Sequence, residues 1–395
     1  MTPVSTLKPT VTPASSPSRA VRGAQPSLRV VAIGGGTGLS TLLRGLKHYV
    51  PAPAAFRRST DAPSRLPSGA LAEPLPNPLS TAPDTARRVE RSTLDLPCVI
   101  RDLAAIVTVT DDGGSSGRLR EDLKMLPPGD VRNCMVALSE DEHLLAKLFQ
   151  YRFDQGALDG HSFGNLFVAA LSEITGDFAQ AVQMSSQILA TRGRIYPATN
   201  TDVTLAARMD DGSLVRGETN ITASTHRILE LMLEPSDAEP LPGTLDAIAG
   251  ADLITLGPGS LYTSLVTNLL VRGIPEAIAE SNATRVYVGN LMTQANESLG
   301  LTASQHIEKI LQHCGLAGGP IFDYALINTA PISPTLLDQY AREGQTPIEA
   351  DLDRIRDLGV EPIPGNFVHE GSVLRHDHDR VTQALLKLAL KTANP

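Results

Sequence analysis

The sequence has few cysteines and few aromatic residues, and these two shortages exclude several classes of protein. Its three cysteines, Cys98, Cys134 and Cys314, are far apart and odd in number. Such spacing suits neither a disulfide framework nor a zinc knuckle, so we expect a reducing compartment. Aromatic residues make up 4% of the chain and tryptophan is absent, so an aromatic platform for stacking bases or sugars is poorly supplied.

Long apolar runs and an excess of positive charge are also missing. No apolar run approaches the roughly 20 residues that span a bilayer, and the N-terminus shows no hydrophobic signal core. The 34 basic and 43 acidic residues give a net charge of −9, which argues against non-specific binding to nucleic acid or to anionic membranes. We therefore expect a cytoplasmic protein that neither binds nucleic acid nor inserts into a membrane.

Two segments are rich in proline and poor in core-forming residues. Residues 1–27 contain much Thr, Ser, Pro and Ala and no acidic residue; together with residues 50–97 they hold 14 of the 29 prolines. We predict a disordered tail and a disordered or loosely ordered insertion that acts as a spacer, because such compositions cannot bury a core. The bias of the tail is also typical of a plastid transit peptide, and we favour a low-complexity tail. The remainder, 28–49 and 98–392, is predicted to form one domain.

Short apolar runs alternate with helical patterns in that domain. Apolar strands separated by helices predict a mostly parallel sheet covered on both faces, which is a doubly wound, Rossmann-like α/β fold. Alternating apolar positions around Asp211 and Gly212, within residues 195–233, predict a small β-hairpin decoration. The predicted strands are 28–33, 104–110, 252–256, 285–288 and 324–327, and the predicted helices are 39–49, 144–153, 162–174, 260–270, 303–313 and 377–390.

The first predicted strand ends in a glycine turn, residues 34–38, that runs directly into a helix. Glycines there let backbone N–H groups and the helix dipole approach a phosphate. The dinucleotide fingerprint fits badly, because its third glycine would fall on Leu39 or Thr41. Residues 257–260 repeat the arrangement of strand, glycine loop and helix. If 252–256 is the fourth strand, the two turns face each other across one crevice and suit a diphosphate; tight turns without a ligand are the alternative.

Paired acids and then two arginines follow the second predicted strand. Asp111 and Asp112 stand where a carboxylate can accept ribose or sugar hydroxyls, or hold Mg²⁺ through water. The alternative is an Asx turn that caps the glycine loop. Arg118 and Arg120 are candidate ligand contacts, with a solvated surface as the alternative.

Two further helix starts carry polar residues. Asp130 is predicted to be an N-cap, which puts Arg132 in the first turn, where the helix dipole disfavours a cation. Arg132 is therefore a candidate phosphate contact, or else it forms a salt bridge to Asp130 or a neighbouring acid. His161 and Asn165 stand at the entrance of an apolar helix, where they could bind a ligand or cap the helix.

The sequence shows no constellation of catalytic residues. The histidines lack metal-ligand spacing, and His376 and His378 are predicted to lie in a solvated charged loop. Neither a Ser-His-Asp nor a Cys-His arrangement is apparent. We therefore assign no catalytic residue and leave a metal site open.

A family resemblance is carried, in chain order, by VVAIGGGTGLSTLLRGLK, IVTVTDDGGSSGRLRED, LPPGDVRNCMVALS, FQYRF, GHSFGNLFVAALSEITGDF, ADLITLGPGSLYTSL and VGNLMTQANES. These motifs, spread over 28–49 and 98–390, resemble the gluconeogenesis factor family, which is related to the 2-phospho-L-lactate transferase (CofD) superfamily. The resemblance implies a cytoplasmic, homodimeric regulatory protein that binds UDP-sugars such as UDP-N-acetylglucosamine or UDP-glucose and acts on a regulatory protein partner. It further implies a link to cell shape and to growth on gluconeogenic carbon sources. No cofactor is required under this hypothesis, and Mg²⁺ is optional.

The same resemblance implies which residues hold the ligand. The two glycine turns would hold the nucleotide diphosphate, and the sugar or ribose would lie near the polar residues that follow the second strand. The candidate ligand-binding residues are Gly34, Gly35, Gly36, Thr37, Gly38, Asp111, Asp112, Ser115, Arg118, Arg132, Asn133, His161, Asn165, Gly257, Pro258, Gly259, Ser260, Ser264 and Asn290.

Two other functions compete with this hypothesis. Asp111 and Asp112 fall where the transferase relatives have an acidic pair, so the main alternative is an Mg²⁺-dependent phosphotransferase with a nucleotide diphosphate donor. The continuation GGSSGRLRED is unlike those transferases, and PPGDVRN is typical of the regulatory branch. An NAD-dependent dehydrogenase is disfavoured by the broken fingerprint.

Overall fold

The computed structural model describes residues 26–51, 98–140, 144–295, 297–316 and 320–393. The tail predicted to be disordered lies outside these ranges except for residues 26 and 27. The proline-rich insertion lies outside them except for residues 50 and 51. The disorder expected of both segments therefore stays a prediction.

Strands and helices alternate along most of the described chain. The strands are β1 (Ser27–Gly34), β2 (Val99–Val107), β3 (Arg194–Pro197), β4 (Thr204–Met209), β5 (Leu214–Arg216), β6 (Ile228–Glu234), β7 (Leu253–Leu256), β8 (Thr284–Val288), β9 (Tyr324–Asn328), β10 (Glu361–Gly365), β11 (Val368–Glu370) and β12 (Leu374–His376). The α-helices are α1 (Gly36–Lys47), α2 (Gly114–Leu123), α3 (Gly129–Leu138), α4 (Leu144–Gln150), α5 (Phe163–Thr175), α6 (Phe178–Ile188), α7 (Glu218–Ala223), α8 (Pro242–Ala249), α9 (Thr267–Leu269), α10 (Ile274–Glu280), α11 (Ala303–Cys314), α12 (Pro334–Ala341), α13 (Leu352–Asp357) and α14 (His378–Ala393).

The central sheet has seven parallel strands in the order β10-β9-β8-β7-β1-β2-β3. Within this sheet β7 is the fourth strand along the chain, so the order is 3-2-1-4-5-6-7. The first six strands of that order are those of the doubly wound dinucleotide-binding folds, with β10 added at one edge. The predicted fold class is confirmed, and so is the assignment of 252–256 as the fourth strand.

The middle strands are buried on both faces, as their apolar sequences require. All four residues of β7, with the sequence LITL, are buried, and so are the last five residues of β1. A parallel strand with both faces covered reads as a continuous apolar run rather than an alternating one. The two strands that carry the glycine turns can therefore be recognised in the sequence by their continuous apolar runs.

The five predicted strands are all present, but several elements around them differ from the prediction. The sequence does not predict β3 and β10, because both are short and contain proline. Both lie at the edges of the sheet, where proline is tolerated. The predicted helix at 260–270 begins as a π-helical segment, Leu261–Val266, before α9. The predicted hairpin is formed by β4 and β5, and β6 extends it to a three-stranded antiparallel sheet.

A second, smaller apolar cluster lies apart from the main core. It joins the loop after β8, the start of α12 and the hairpin of β11 and β12 through Leu291, Met292, Ile332, Leu336, Val368 and Leu374. These elements stand at the carboxyl ends of β8 and β9. Within the described ranges, no helix is long and apolar enough to cross a membrane.

Candidate functional site

The two glycine turns are neighbours at the carboxyl edge of the sheet. β1 and β7 pair in parallel as far as Ile33 and Leu256, and the Gly257 N–H donates to the Ile33 carbonyl oxygen at 3.0 Å. A Cβ atom at Gly38 would lie 2.3 Å from the Pro258 carbonyl oxygen, so a side chain there would force the turns apart. The predicted juxtaposition of the two turns is confirmed.

Both turns line one cavity of about 440 Å³, a size that is usual for small-molecule sites. Its other walls come from the loop after β8, the segment after α12 and the hairpin of β11 and β12. Ten of the nineteen candidate residues line this cavity: Gly35, Gly36, Thr37, Gly38, Asp111, Pro258, Gly259, Ser260, Ser264 and Asn290. The other nine, Gly34, Asp112, Ser115, Arg118, Arg132, Asn133, His161, Asn165 and Gly257, are not part of its lining.

The amino end of α1 opens onto the cavity. Its N-cap residue, Gly35, provides no side-chain cap, and the first turn of the helix contains no acidic residue. Gly36 has φ of 60°, a left-handed conformation that favours glycine. The free N–H groups at such an end, together with the helix dipole, attract an anion. This geometry fits a phosphate at the first glycine turn.

Three carboxyl groups, those of Asp111, Asp130 and Glu218, line the side of the cavity nearest β2. Burial and then the charge of Asp111 raise the pKa of Asp130 to about 6. Burial, followed by the charges of Asp111 and Asp130, raises the pKa of Glu218 to about 9. Glu218 is therefore protonated at neutral pH and presents both a hydroxyl donor and a carbonyl acceptor. Such a cluster can receive sugar hydroxyls or a cation.

The sequence predicts the wrong position for Asp130 in α3, and it gives no sign that Glu218 lines the cavity. Asp130 was expected to be an N-cap, but the N-cap of α3 is Pro128 and Asp130 lies inside the first turn. Its carboxyl group accepts a hydrogen bond from the Gly36 N–H instead. Glu218 is the first residue of α7, in the segment predicted only as a hairpin decoration.

The two aspartates after β2 have different environments. Asp111 accepts a hydrogen bond from the Gly113 N–H at 2.9 Å, which is the Asx turn of the alternative interpretation, and it still lines the cavity. Asp112 accepts hydrogen bonds from the Thr219 N–H at 2.8 Å and from the Thr219 hydroxyl at 2.6 Å. Asp112 therefore anchors the start of α7, and through it Glu218, at the cavity.

A second polar cluster lies around Ser115, outside the cavity lining. The Ser115 hydroxyl is 3.1 Å from His161 Nδ1 and accepts a hydrogen bond from Asn165 Nδ2 at 3.2 Å. The helix α5 is capped by Ser162, whose side chain accepts the Asn165 N–H, so neither His161 nor Asn165 is the cap. Arg132 donates to Ser162 Oγ at 3.2 Å, and burial lowers its pKa.

The remaining candidate residues of this region make local contacts. Arg132 also donates to Asn133 Oδ1 at 2.8 Å. Arg118 donates to the Asp159 carbonyl oxygen at 2.7 Å, and Arg120 pairs with Asp202 at 2.7 Å.

The hairpin of β11 and β12 adds two residues that sequence reasoning did not assign to the site. Arg375 is the one lysine or arginine in the cavity lining among the residues that the structure describes. His376 also lines the cavity and its Nε2 is 3.0 Å from the Gly289 carbonyl oxygen, with a pKa lowered by burial to about 4. The expectation of a solvated loop is therefore wrong for His376.

Oxygen ligands for a divalent cation are present at the acidic side of the cavity. Asp111, Asp130 and Glu218 offer the oxygen chemistry that Mg²⁺ prefers. Their ligand atoms are less closely gathered than those of Asp210, Asp211 and His226, which are exposed and lie within 4.8 Å of one another. A cation at the cavity would thus complete its coordination with water or with ligand phosphate oxygens.

The sheet order and the glycine-lined crevice define a doubly wound α/β protein with a cleft at its topological switch point. The chain belongs to the 2-phospho-L-lactate transferase CofD family, whose model matches residues 30–368. The gluconeogenesis factor of Halalkalibacterium halodurans is 43% identical over 367 residues, which cover 92% of this chain and 98% of the relative. That of Bacillus subtilis is 40% identical over 362 residues, covering 91% and 98%. The crystal structure of a UPF0052 family member from Bacillus halodurans matches with a TM-score of 0.76 and 43% identity over 91% of this chain and 99% of that one.

Proposed function

We propose that this chain is a regulatory protein that binds a UDP-sugar in the glycine-lined cavity. The observation that carries the proposal is the meeting of two glycine turns, from adjacent parallel strands, beside the open amino end of α1. In doubly wound folds a ligand binds at the switch point between such strands. A diphosphate suits this position because its charge faces the backbone N–H groups at the amino end of α1. The Gly36 N–H among them is held by the carboxyl group of Asp130.

The two sides of the turns differ in chemistry, and both suit parts of such a ligand. Arg375 supplies a guanidinium that can form charge-assisted hydrogen bonds with phosphate oxygens. Sugar hydroxyls can donate hydrogen bonds to the carboxyl oxygens of Asp111, Asp130 and Glu218. The protonated Glu218 can also donate a hydrogen bond to a sugar oxygen. The sugar is therefore assigned to the side nearest β2.

The regulatory role and the cellular setting rest on relatedness. Relatives with about 40% identity over most of the chain bear the name gluconeogenesis factor. We assign this chain the same kind of role: a cytoplasmic, homodimeric regulator that links nucleotide-sugar supply to cell shape on gluconeogenic carbon sources, through a protein partner. No cofactor is required in this role.

A charge placed at the phosphate position tests the proposal. Thr37 is exposed in the first turn of α1 and lines the cavity. Thr37→Glu places a carboxylate where the helix dipole favours it, so the fold should be retained, while phosphate is repelled. We expect calorimetric titration with UDP-N-acetylglucosamine to show at least a tenfold loss of affinity. The matched variant Thr37→Gln has nearly the same size without the charge and should lose much less. Equal affinity in both variants would remove the phosphate from this turn.

A second candidate function, an Mg²⁺-dependent phosphotransferase, is favoured by the acidic side of the cavity and by the description of the matching family model. A nucleotide diphosphate donor would pass a phosphate-linked group to an alcohol, with release of a nucleoside monophosphate and of the alcohol proton. Chromatography of a nucleotide incubated with protein, Mg²⁺ and candidate alcohols separates the two functions. Monophosphate that accumulates beyond one equivalent supports the transferase; none is expected from the regulator.

A further inference from the structure

A second cavity, of about 410 Å³, adjoins the glycine-lined one at the carboxyl ends of β8 and β9. The two cavities share Asn290 and Leu291 in their walls. The second cavity is lined mainly by aliphatic side chains, among them Ile327, Ile332 and Ile348. It therefore continues the glycine-lined cavity on the side opposite the carboxyl cluster.

Three residues of this lining carry buried polar atoms without hydrogen-bond partners among the described residues. His306 is 1% exposed, and its Nδ1 lies 2.8 Å from the Thr302 carbonyl oxygen. A carbonyl oxygen can only accept, so Nδ1 carries the proton and Nε2 is left as an acceptor. Nε2 has no partner within the described residues, and burial lowers the pKa of His306, which keeps the ring neutral.

Two more residues of the lining show the same deficit. The Oδ1 atom of Asn290 is buried and accepts no hydrogen bond from any described residue. The Tyr287 side chain is 0% exposed; its hydroxyl lies near the Asn290 N–H without a hydrogen bond of normal geometry. Burial raises the pKa of Tyr287, so the hydroxyl keeps its proton and can donate. Unpaired buried polar groups are costly, which points to a ligand that satisfies them.

The chemistry of this lining selects the kind of group it can accept. A sugar would bring hydroxyls on all sides against aliphatic walls, where each unpaired hydroxyl is unfavourable. A nucleobase has two apolar faces and one polar edge. Its edge N–H can donate to His306 Nε2 or Asn290 Oδ1, and its carbonyl can accept from Tyr287. The base therefore fits between the aliphatic walls without an aromatic platform.

We infer that the cavity formed by Tyr287, Asn290, His306 and the aliphatic residues after β8 and β9 binds the nucleobase of the ligand. This inference rests on the proposed function and gives the bound nucleotide a direction along the sheet. The base lies over β8 and β9, the diphosphate over β7 and β1, and the sugar over β2. The second strand, which holds the ribose of the nucleotide in dinucleotide-binding folds, thus faces the opposite end of the ligand here.

Photo-crosslinking of the full chain with 4-thiouridine diphosphate reads the position of the base directly. The thiocarbonyl forms its adduct with residues that touch the base edge. We expect mass spectrometry to place the adducts in residues 287–292, 327–332 or 347–350. Adducts confined to residues 108–119 or 196–203, at the ends of β2 and β3, would overturn the inference while leaving the binding proposal intact.

A variant that fills the cavity provides the independent measurement. Ala330→Phe adds a ring at a half-buried position that lines only the second cavity. We expect at least tenfold weaker binding of UDP, and unchanged affinity in Ala170→Phe, which adds the same ring at an exposed position of α5. Unchanged UDP affinity in a folded Ala330→Phe protein would contradict the inference. If Ala330→Phe does not fold, the positions of the 4-thiouridine adducts alone test the inference. Wild-type protein that binds neither UDP nor UDP-N-acetylglucosamine would overturn the proposed function first, and the inference with it.

Discussion

The carboxyl group of Asp130 accepts a hydrogen bond from the backbone N–H of Gly36, which joins the first turn of α3 to the glycine turn after β1. One of the N–H groups at the open end of α1 is thus held by a carboxylate rather than left for a ligand. Because the pKa of Asp130 is about 6, the charge beside the proposed phosphate position changes within the physiological range. The net charge on the acidic side of the cavity therefore depends on pH.

Glu218 predicts how stability depends on pH. Burial raises its pKa from 4.5 to about 9, so the folded state binds the proton more tightly than the unfolded state. This contribution to stability is fully present below pH 4.5 and is lost as the pH rises toward 9. Glu218→Gln keeps a neutral side chain throughout. We expect urea denaturation at pH 8 to show a gain on the order of 2–4 kcal/mol in the free energy of unfolding, and almost none at pH 4.

The matched control for this substitution is Glu173→Gln, at an exposed position of α5. It should leave the free energy of unfolding unchanged at both pH values. A Glu218→Gln protein that is less stable than wild type at pH 8 would show that Glu218 is ionised and paired.

The carboxyl cluster also predicts a response to Mg²⁺. A cation beside Asp111, Asp130 and Glu218 offsets their mutual repulsion. The effect is larger when Asp130 and Glu218 are deprotonated. Mg²⁺ at about ten times its dissociation constant should add about 1.4 kcal/mol of stability. We expect thermal denaturation to show a larger gain at pH 8 than at pH 5, and a reduced gain in Asp111→Asn. If Asp211→Asn removes the effect instead, the cation binds at the exposed cluster that contains Asp211.

The sequence predicted the parts of the fold that local patterns determine. β1 and β7 are continuous apolar runs that end in glycine turns, so their pairing and the crevice between them could be inferred from the doubly wound order. β3 and β10 could not be recognised, because their short, proline-containing sequences resemble loops. Their strand character arises from pairing with a neighbour at the edge of the sheet.

The site was predictable only where its residues follow strands directly. Asp111 and the glycine turns do so, and they line the cavity. Glu218 reaches the same cavity from α7, which Asp112 anchors across a separation of 107 residues. Arg375 arrives on a hairpin that packs through the second apolar cluster. No local pattern marks either residue, because tertiary packing alone brings them to the cleft.

The sequence makes Asp112 and Arg132 candidates for ligand contact, but their contacts in the structure favour a role in stability instead. Asp112→Asn weakens the hydrogen bonds that anchor α7, which should cost about 0.5–2 kcal/mol of stability, as the loss of a helix cap does. Since neither residue lines the cavity, we expect the affinity for UDP-N-acetylglucosamine to remain close to wild type in Asp112→Asn and in Arg132→Lys. Titration calorimetry, beside urea denaturation of each variant, separates the two effects. A large loss of affinity without loss of stability would show that the two residues contact the ligand.

Arg375 should make the largest single side-chain contribution to phosphate binding. Its guanidinium stands on β12, is exposed, and faces a cavity whose other charged side chains are acidic. Charge-assisted hydrogen bonds contribute about 1.5–3 kcal/mol, so Arg375→Ala should weaken UDP-N-acetylglucosamine binding by roughly 10- to 150-fold. Arg375→Lys keeps the charge but loses the planar guanidinium, so its affinity should lie between those of wild type and Arg375→Ala. Calorimetric titration measures each, with Arg342→Ala, an exposed arginine outside the lining, as the control. Wild-type affinity in Arg375→Ala would leave phosphate recognition to the backbone N–H groups alone.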